Sequence, residues 1–359
     1  MISEDTLLSD QVFQLNTFLW ALEDLPENSL TRPVLRQAGY YLSSIGRPVI
    51  MPVDAHFVAA LQSITGSADR SPCRPDLWIM HTSDHVVSLI ELKARGFSSN
   101  SSNRRQALKL IAASSNLGPS LGEPDERPGH VLYATTSADA NDLATTLKNL
   151  ALELEAENAP ATPTGVIGLS METQGVALSS PIPSDLPEPA ATAFAAPAIV
   201  LLHEDENDIQ PLYFIPWIPG IEDSQDAELR SAGLRELTAR VLTHALADIG
   251  QAQTPTTLSL DATTLLTRAT FGVFDRWRDA DRKQFSEAAA KIVERALTPV
   301  VTVRREAGSL LEVDLPTRET QDTAIDRLER ADPADPKANL EATVGEPPTL
   351  FDNLNTDTT

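Results

Sequence analysis

The sequence has a single cysteine, Cys73, and no apolar run long enough to cross a membrane. One thiol excludes an internal disulfide, and without a CxxC pair or a His/Cys grouping there is no structural zinc site. The first residues, MISEDTLLSDQ, are acidic and polar, whereas a secretory signal is basic and then apolar. We therefore expect a cytoplasmic protein with no membrane association, in which Cys73 is a passive thiol beside a turn.

Positive charge is also scarce. The 359 residues include 28 Lys and Arg against 51 Asp and Glu, a formal net charge of -23. Such an excess repels phosphates and argues against a chain that binds nucleic acid over its whole surface. The excess is uneven, because residues 1–115 hold 10 basic and 11 acidic side chains while residues 116–359 hold 18 and 40. The first third of the chain is therefore electrostatically compatible with nucleic-acid binding.

The length indicates more than one domain. Hydrophobic periodicity and turn residues predict an α/β domain over residues 1–180, a Pro- and Ala-rich linker over 181–198, a mainly helical domain with hairpins over 199–316, and a disordered acidic tail over 317–359. Because the tail is nearly free of apolar residues, we expect that its deletion spares any chemistry of the protein.

The mainly helical domain is predicted to begin with a hairpin, residues 199–203 and 211–216. Three helices follow, near 226–249, 261–274 and 281–297, and then a second hairpin over 300–315. The order of these helices and the last hairpin resembles that of a winged helix, a common DNA-reading module. However, the last helix mixes basic with acidic side chains, which favours a solvated helix in a homodimer or protein-partner interface.

The α/β domain is predicted as a series of alternating helices and strands. The helices are Leu8–Leu25, Pro33 to about Ser44 with Gly46 as its stop, Ala55–Ile64, Asn103–Ser114 and Asp139–Glu157. The strands are Arg47–Val53 at an edge, Asp76–His81, Val86–Lys93, Gly129–Thr136, and a hairpin of Gly165–Met171 with Gly175–Ser179.

The stretch RPDLWIMHTSDHVVSLIELK, residues 74–93, contains the residues with the clearest chemical potential. Folded as a hairpin about a two-residue turn at Ser83-Asp84, it places Asp76 directly opposite Glu91, on the sheet face that Lys93 also occupies. A four-residue turn keeps this parity, whereas an odd-numbered turn destroys it. Two carboxylates on one face suit Mg²⁺ or Mn²⁺, and a lysine beside them can hold water or offset negative charge. If these residues do not bind a metal, the three side chains instead form solvated ion pairs on the protein surface.

Pro75-Asp76 and Glu91-Leu92-Lys93 resemble the two signatures of the PD-(D/E)XK nuclease superfamily. The resemblance covers roughly residues 1–180 and implies a restriction-endonuclease-like mixed sheet flanked by helices, with the core order helix, three strands, helix, strand. It implies that Asp76 and Glu91 are metal ligands and that Lys93 positions water. The predicted helix Ala55–Ile64 departs from the core order of the family.

The resemblance also points to supporting residues. Many family members carry another acid on the first helix, a place that Glu23 or Glu27 can fill, and some carry a glutamine on the helix after the lysine strand, where Gln106 lies. Basic residues near the motif are candidates for contacts with nucleic-acid phosphates. These are Arg95, Arg104, Arg105 and Lys109.

The sequence therefore predicts a Mg²⁺- or Mn²⁺-dependent endonuclease that hydrolyses phosphodiester bonds, in DNA rather than RNA. The resemblance implies a setting in restriction, genome defence or repair. One alternative is a non-catalytic subunit that keeps the fold to bind nucleic acid or a protein. Another is an acidic DNA mimic that inhibits DNA-binding proteins through its charge. An enzyme needs Asp76, Glu91 and Lys93 to converge, whereas a mimic spreads its carboxylates along a face.

Overall fold

The computed structural model describes residues 4–22, 33–51, 55–83, 85–97, 102–123, 125–173, 175–181, 186, 188–194, 198–201, 227–306, 308–333 and 340. The chain divides into two compact units, Met1–Tyr213 and Phe214–Thr359, which are described separately. Among the described residues, no helix has the length and apolar character needed to span a membrane.

The first unit is built on a seven-stranded mixed sheet in which the strands lie side by side in chain order. They are β1 (Tyr40–Ile45), β2 (Leu77–His81), β3 (Val87–Leu92), β4 (Gly129–Thr136), β5 (Thr164–Glu172), β6 (Gly175–Ser179) and β7 (Ala198–Leu201). Strands β3, β4 and β5 are parallel to one another, and the other neighbouring pairs are antiparallel.

Helices accompany this sheet along the chain. They are α1 (Glu4–Ser9), α2 (Gln11–Leu22), α3 (Val34–Gln37), α4 (Ala55–Thr65), α5 (Ser102–Ala113), α6 (Gly118–Leu121), α7 (Ala140–Ala156) and α8 (Ala190–Ala193). All six residues of β3 are buried, as expected for a strand covered on both faces. Val87 and Leu89 join a hydrophobic cluster with α4, α5 and α7, and Glu91 points to the same face. Since side chains alternate along a strand, its even-numbered residues point to the opposite face.

Most predicted elements of the first unit are present, but three predictions before β2 differ from the structure. The second helix does not reach Ser44, because it ends at Gln37 and Tyr40–Ile45 forms β1 instead. Gly39 has a φ of +93°, which favours glycine and separates this helix from the strand. Of the predicted strand Arg47–Val53, the described residues 47–51 form one bridge, between Val49 and Cys73, and a proline lacks the N–H that a ladder requires. The predicted first helix is two helices separated by Asp10, whose carboxylate accepts a hydrogen bond from Phe13 N.

The boundary between the units also differs from the prediction. We predicted a linker over 181–198 and a second domain from residue 199. In the structure, Ala198–Leu201 is β7, which pairs with β6 and so completes the sheet of the first unit. The compact units meet in sequence at Tyr213. The rest of the predicted hairpin, residues 202–203 and 211–216, lies outside the described residues.

The second unit combines helices with a small antiparallel sheet. Its elements are α9 (Ala227–Gln251), β8 (Thr256–Asp261), α10 (Ala262–Ala269), a 3-10 turn (Val273–Arg276), α11 (Asp279–Leu297), β9 (Val303–Arg305), β10 (Leu310–Leu315) and α12 (Arg318–Glu329). The strand order is β8-β10-β9, and both pairs are antiparallel. The three predicted helical regions and the final hairpin are present, whereas β8 was not predicted.

The prediction of a disordered tail from residue 317 is wrong for residues 318–329, which form α12. Thr317 caps this helix by accepting a hydrogen bond from Thr320 N, and Ala324 and Leu328 are buried. Gln321 is also buried, and its side chain donates to the carbonyl oxygens of Ile249 at 2.5 Å and Ala252 at 2.8 Å. A helix with few apolar residues is therefore held partly by a buried amide. Residues 341–359 lie outside the described residues.

Candidate active site

The hairpin of β2 and β3 determines which side chains share a face. Leu77 pairs with Ile90 and Trp78 with Leu89, so the register places Asp76 opposite Glu91. The connection spans residues 82–85, and it is closed by a hydrogen bond of 3.0 Å from His81 N to Val86 O. This loop has an even number of residues, and the predicted parity is therefore confirmed.

The carboxylate of Glu91 is the centre of the candidate site. Its Oε1 accepts a hydrogen bond of 2.8 Å from Lys93 Nζ and one of 2.7 Å from Gln106 Nε2. Glu91 is only 3% exposed and Lys93 only 7%. Lys93 follows β3 directly and Gln106 lies in α5. The structure thus brings together three of the predicted residues in a buried, hydrogen-bonded group.

Asp76 lies immediately before β2 and is partly buried. Its Oδ2 accepts a hydrogen bond of 2.7 Å from the backbone N of Leu92, which anchors the carboxylate beside the end of β3. Burial raises the pKa of Asp76, and the nearby carboxylate of Glu91 raises it further. Burial likewise raises the pKa of Glu91, although Lys93 and Gln106 oppose that shift. The positive charge of Lys93 does not fully offset the negative charges of the two carboxylates.

This donor set fits a hard divalent cation. The Oε2 atom of Glu91 is buried and has no hydrogen-bond partner among the described residues, so one oxygen remains available as a ligand. Carboxylate oxygens with waters or substrate oxygens are the ligands that Mg²⁺ and Mn²⁺ prefer. The described residues contain no group of three or more His, Cys, Asp and Glu side chains suited to a metal. Glu23 and Glu27, the predicted additional acids, lie outside the described residues.

The predicted phosphate-binding residues divide into two pairs. Arg104 forms an ion pair with Glu153 of α7, and Lys109 is buried with its Nζ bonded to Asp69 Oδ2 at 2.8 Å. Lys109 also donates to Oγ and O of Ser71, at 3.0 and 3.2 Å, so all three of its N–H groups are used. The charged groups of both side chains therefore have partners within the protein.

Arg95 and Arg105 form the second pair. Both are exposed, and neither forms an ion pair with another described residue. Arg105 lines a groove of about 390 Å³ together with Gln106, and this groove lies beside the Glu91 carboxylate that Gln106 contacts. These two arginines remain suitable for phosphate contacts.

Sequence reasoning missed three residues around the site. Tyr133 of β4 pairs with Glu91 in the parallel register, is fully buried, and has its pKa raised by burial and by Glu91. Gln11 and Gln14 of α2 donate to the carbonyl oxygens of Leu92 and Lys93 at 2.8 and 3.1 Å. Amide side chains at Gln11, Gln14 and Asn16 of a largely apolar helix were a signal for the glutamines, whereas nothing local marked Tyr133.

Cys73 lies in the wall of the same groove. It is buried, and burial raises the pKa of its thiol to about 12. A thiol with such a pKa stays protonated at neutral pH and is a poor nucleophile. This agrees with the expectation that Cys73 is passive.

Comparison with known proteins yields no relative. No protein family model matches the chain, and neither the curated proteins nor the solved structures contain a significant match.

Proposed function

We propose that this protein is a Mg²⁺- or Mn²⁺-dependent nuclease with a core of the PD-(D/E)XK type, acting on phosphodiester bonds in DNA. The observation that carries the proposal is the convergence at the end of one hairpin: Asp76 opposite Glu91, with the Lys93 ammonium 2.8 Å from the Glu91 carboxylate. Burying a lysine and two carboxylates costs desolvation free energy, and such groups are typical of functional sites.

The order of elements supports the proposal independently of the motif. Helices α1 and α2 precede the antiparallel strands β1, β2 and β3, then α5 follows, and β4 returns parallel to β3. This is the core order that the resemblance implies, with three additions: α3 before β1, α4 between β1 and β2, and α6 between α5 and β4. A parallel return through a helix places the end of β4 beside the end of β3, next to Glu91.

Each residue has a distinct task in this proposal. A bound cation supplies a polarised water and neutralises charge at the phosphorus atom. Asp76 and Glu91 hold that cation, and the Leu92 N–H and the Gln106 amide keep their carboxylates oriented. Lys93 holds the attacking water or offsets the charge that develops in the transition state. Arg95 and Arg105 contact phosphates along the bound strand.

The second unit is proposed to contribute nucleic-acid binding. Its order α9, β8, α10, α11, β9, β10, with strands in the order β8-β10-β9, is similar to that of winged helices. Lys283 and Arg295 are exposed on α11, which corresponds to the reading helix in that arrangement. Arg304 on β9 is paired with Asp314 at 2.6 Å, so the hairpin offers less free positive charge than its sequence suggests.

A cleavage assay tests the enzyme against the non-catalytic subunit. Plasmid, linear and single-stranded DNA are incubated with wild type, Lys93→Ala and Glu91→Ala, in Mg²⁺, Mn²⁺ or EDTA. Wild type should cut only with a divalent cation, and both variants should lose at least about 100-fold in rate. Lys148→Ala on α7, an exposed lysine away from β3, is the matched control and should cut normally.

The assay has two results that contradict the proposal. One is a wild-type protein that never cuts DNA or RNA with either cation. The other is a Lys93→Ala variant that cuts as fast as wild type while keeping its circular-dichroism spectrum. Retained DNA binding without any cleavage would instead favour the non-catalytic subunit.

A further inference from the structure

Tyr133 lies beside the candidate site on the strand next to Glu91. It pairs with Glu91 in the parallel register of β3 and β4, and residues paired in this way point to the same face of a sheet. Its side chain is fully buried, and its ring packs against Phe97 with the ring centres 6.0 Å apart. The ring is therefore held inside the protein, on the sheet face that also carries the Glu91 side chain.

The hydroxyl of Tyr133 has no hydrogen-bond partner among the described residues, although it is buried. The Oε2 atom of Glu91, on the neighbouring strand, is in the same situation. Folded proteins leave few buried polar groups without partners, and such exceptions are commonly satisfied by water or an ion. Here a donor and an acceptor are both unsatisfied on one face of adjacent strands, and they do not bond to each other.

We propose that the Tyr133 hydroxyl donates a hydrogen bond to a water molecule bound to the divalent cation held by Asp76 and Glu91. Glu91 would bind the cation through its free Oε2, and the water on that cation would accept the hydrogen bond from the Tyr133 hydroxyl, so both groups would be satisfied. Tyr133 is then a positioning residue that acts through the water. The inference rests on the proposed function, because it requires the cation site.

Titration calorimetry with MgCl₂ and with MnCl₂ tests this role without any substrate. Tyr133→Phe removes only the hydroxyl, and loss of such an outer hydrogen bond typically weakens metal binding about 10-fold or more. Tyr40→Phe is the matched control, since Tyr40 is also a buried tyrosine of this sheet but pairs with His81, at the opposite end of β2 from Asp76. Its affinity should equal that of wild type. Asp76→Ala should bind neither cation at this site.

Thermal unfolding separates positioning from a structural role. In EDTA, Tyr133→Phe should be at least as stable as wild type, because the hydroxyl it removes has no partner in the protein. Adding Mg²⁺ should raise the Tm of wild type more than that of Tyr133→Phe, since weaker binding stabilises less.

The outcomes are distinguishable. Equal cation affinities of wild type and Tyr133→Phe overturn the role of Tyr133 and leave the nuclease proposal standing. Equal affinities of wild type and Asp76→Ala overturn both, because no cation is then held at Asp76. A Tyr133→Phe variant that is destabilised in EDTA also overturns the inference, since the hydroxyl then has a structural partner within the protein.

Discussion

At the scale of single residues, the raised pKa of the Asp76 carboxyl makes the stability of the folded protein depend on pH. Burial and the neighbouring Glu91 raise its pKa above the ordinary value of 3.8. A raised pKa means that the folded protein binds this proton more tightly than the unfolded chain does. The corresponding stability is fully present below about pH 4 and is lost as the pH rises through the raised pKa.

The first prediction follows from that sign. Asp76→Asn keeps an oxygen that can accept the Leu92 N–H but removes the titration. In EDTA, the Tm of wild type relative to Asp76→Asn should therefore fall between about pH 5 and about pH 9, measured by differential scanning calorimetry. Asp142→Asn, at an exposed position on α7, is the matched control variant. A constant difference between wild type and Asp76→Asn across this range would show that the Asp76 pKa is not raised.

Adding Mg²⁺ should restore part of the thermal stability that wild type loses as the pH rises. A cation between the two carboxylates stabilises their ionised forms, and it competes with protons for them. The Tm gain on adding Mg²⁺ should therefore be larger at about pH 9 than at about pH 5. Asp76→Asn should show little gain at either pH. A gain in wild type that is independent of pH would place the stabilising ion elsewhere on the protein.

At the scale of elements, α2 secures the backbone that carries Lys93. Gln14 is fully buried, and its Nε2 donates to the carbonyl oxygens of Leu8 at 2.8 Å and Lys93 at 3.1 Å. Gln11 reaches the carbonyl oxygen of Leu92 in the same way. These bonds join a helix near the N-terminus to the end of β3, so the position of Lys93 depends on a helix that lacks a charged side chain at the site.

Gln14→Leu should therefore destabilise the protein and slow cleavage. It leaves two buried carbonyl oxygens without a donor, which costs about 1–3 kcal/mol of unfolding free energy in a urea titration. We expect the fall in kcat to exceed that in Gln62→Leu, a matched change at an exposed position of α4. Equal kcat and stability in the two variants would show that α2 does not support the site.

Helix α12 changes the expected effect of truncation. Its Gln321 bonds to the end of α9, and Leu328 and Leu340 are buried, so this segment is part of the folded second unit. Deleting residues 341–359 should leave the Tm unchanged, whereas deleting 317–359 should lower it by about 5 °C or more. Calorimetry of the two truncated proteins tests this. Equal Tm values would mean that α12 contributes nothing to stability.

At the scale of the whole molecule, most of the excess negative charge lies in the middle of the sequence, from α6 to the residues that precede α9. Residues 116–226 contain 2 basic and 18 acidic side chains, whereas residues 227–333 contain 15 and 17. Residues 227–333 are thus almost balanced in charge, despite a net charge of -23 for the chain. A nucleic acid should be repelled from the acidic stretch and meet the protein elsewhere.

Salt dependence measures how many phosphates are contacted. Arg95→Ala combined with Arg105→Ala should weaken DNA binding and reduce the slope of log affinity against log salt by about 2. Arg127→Ala, whose guanidinium is already paired with Glu123 at 2.8 Å, is the control and should keep the wild-type slope. An unchanged slope in the double variant would exclude these two arginines from the DNA interface.

The local structure of this protein could largely be predicted from its sequence. The alternation of side chains and an even number of loop residues determine the Asp76–Glu91 register within one hairpin, and helical periodicity located α4, α5, α7 and α11. Local propensity failed at Tyr40–Ile45, where a strand replaced the end of a predicted helix because the neighbouring β2 could pair with it. It failed again at α12, whose few apolar residues did not reveal the amide bonds to α9.

Only the tertiary structure decided how distant segments meet at the site. The pairing of Glu91 with Tyr133 depends on a parallel crossover through α5, whose register no local pattern encodes. The contacts of Gln11 and Gln14 with β3 join residues about 80 positions apart. The same packing placed Lys109 against Asp69 and Arg104 against Glu153. The sequence alone determined which residues face one another across a short turn, because the number of turn residues and the alternation of side chains along the strands decide it. Contacts across long loops depend instead on how the whole core packs.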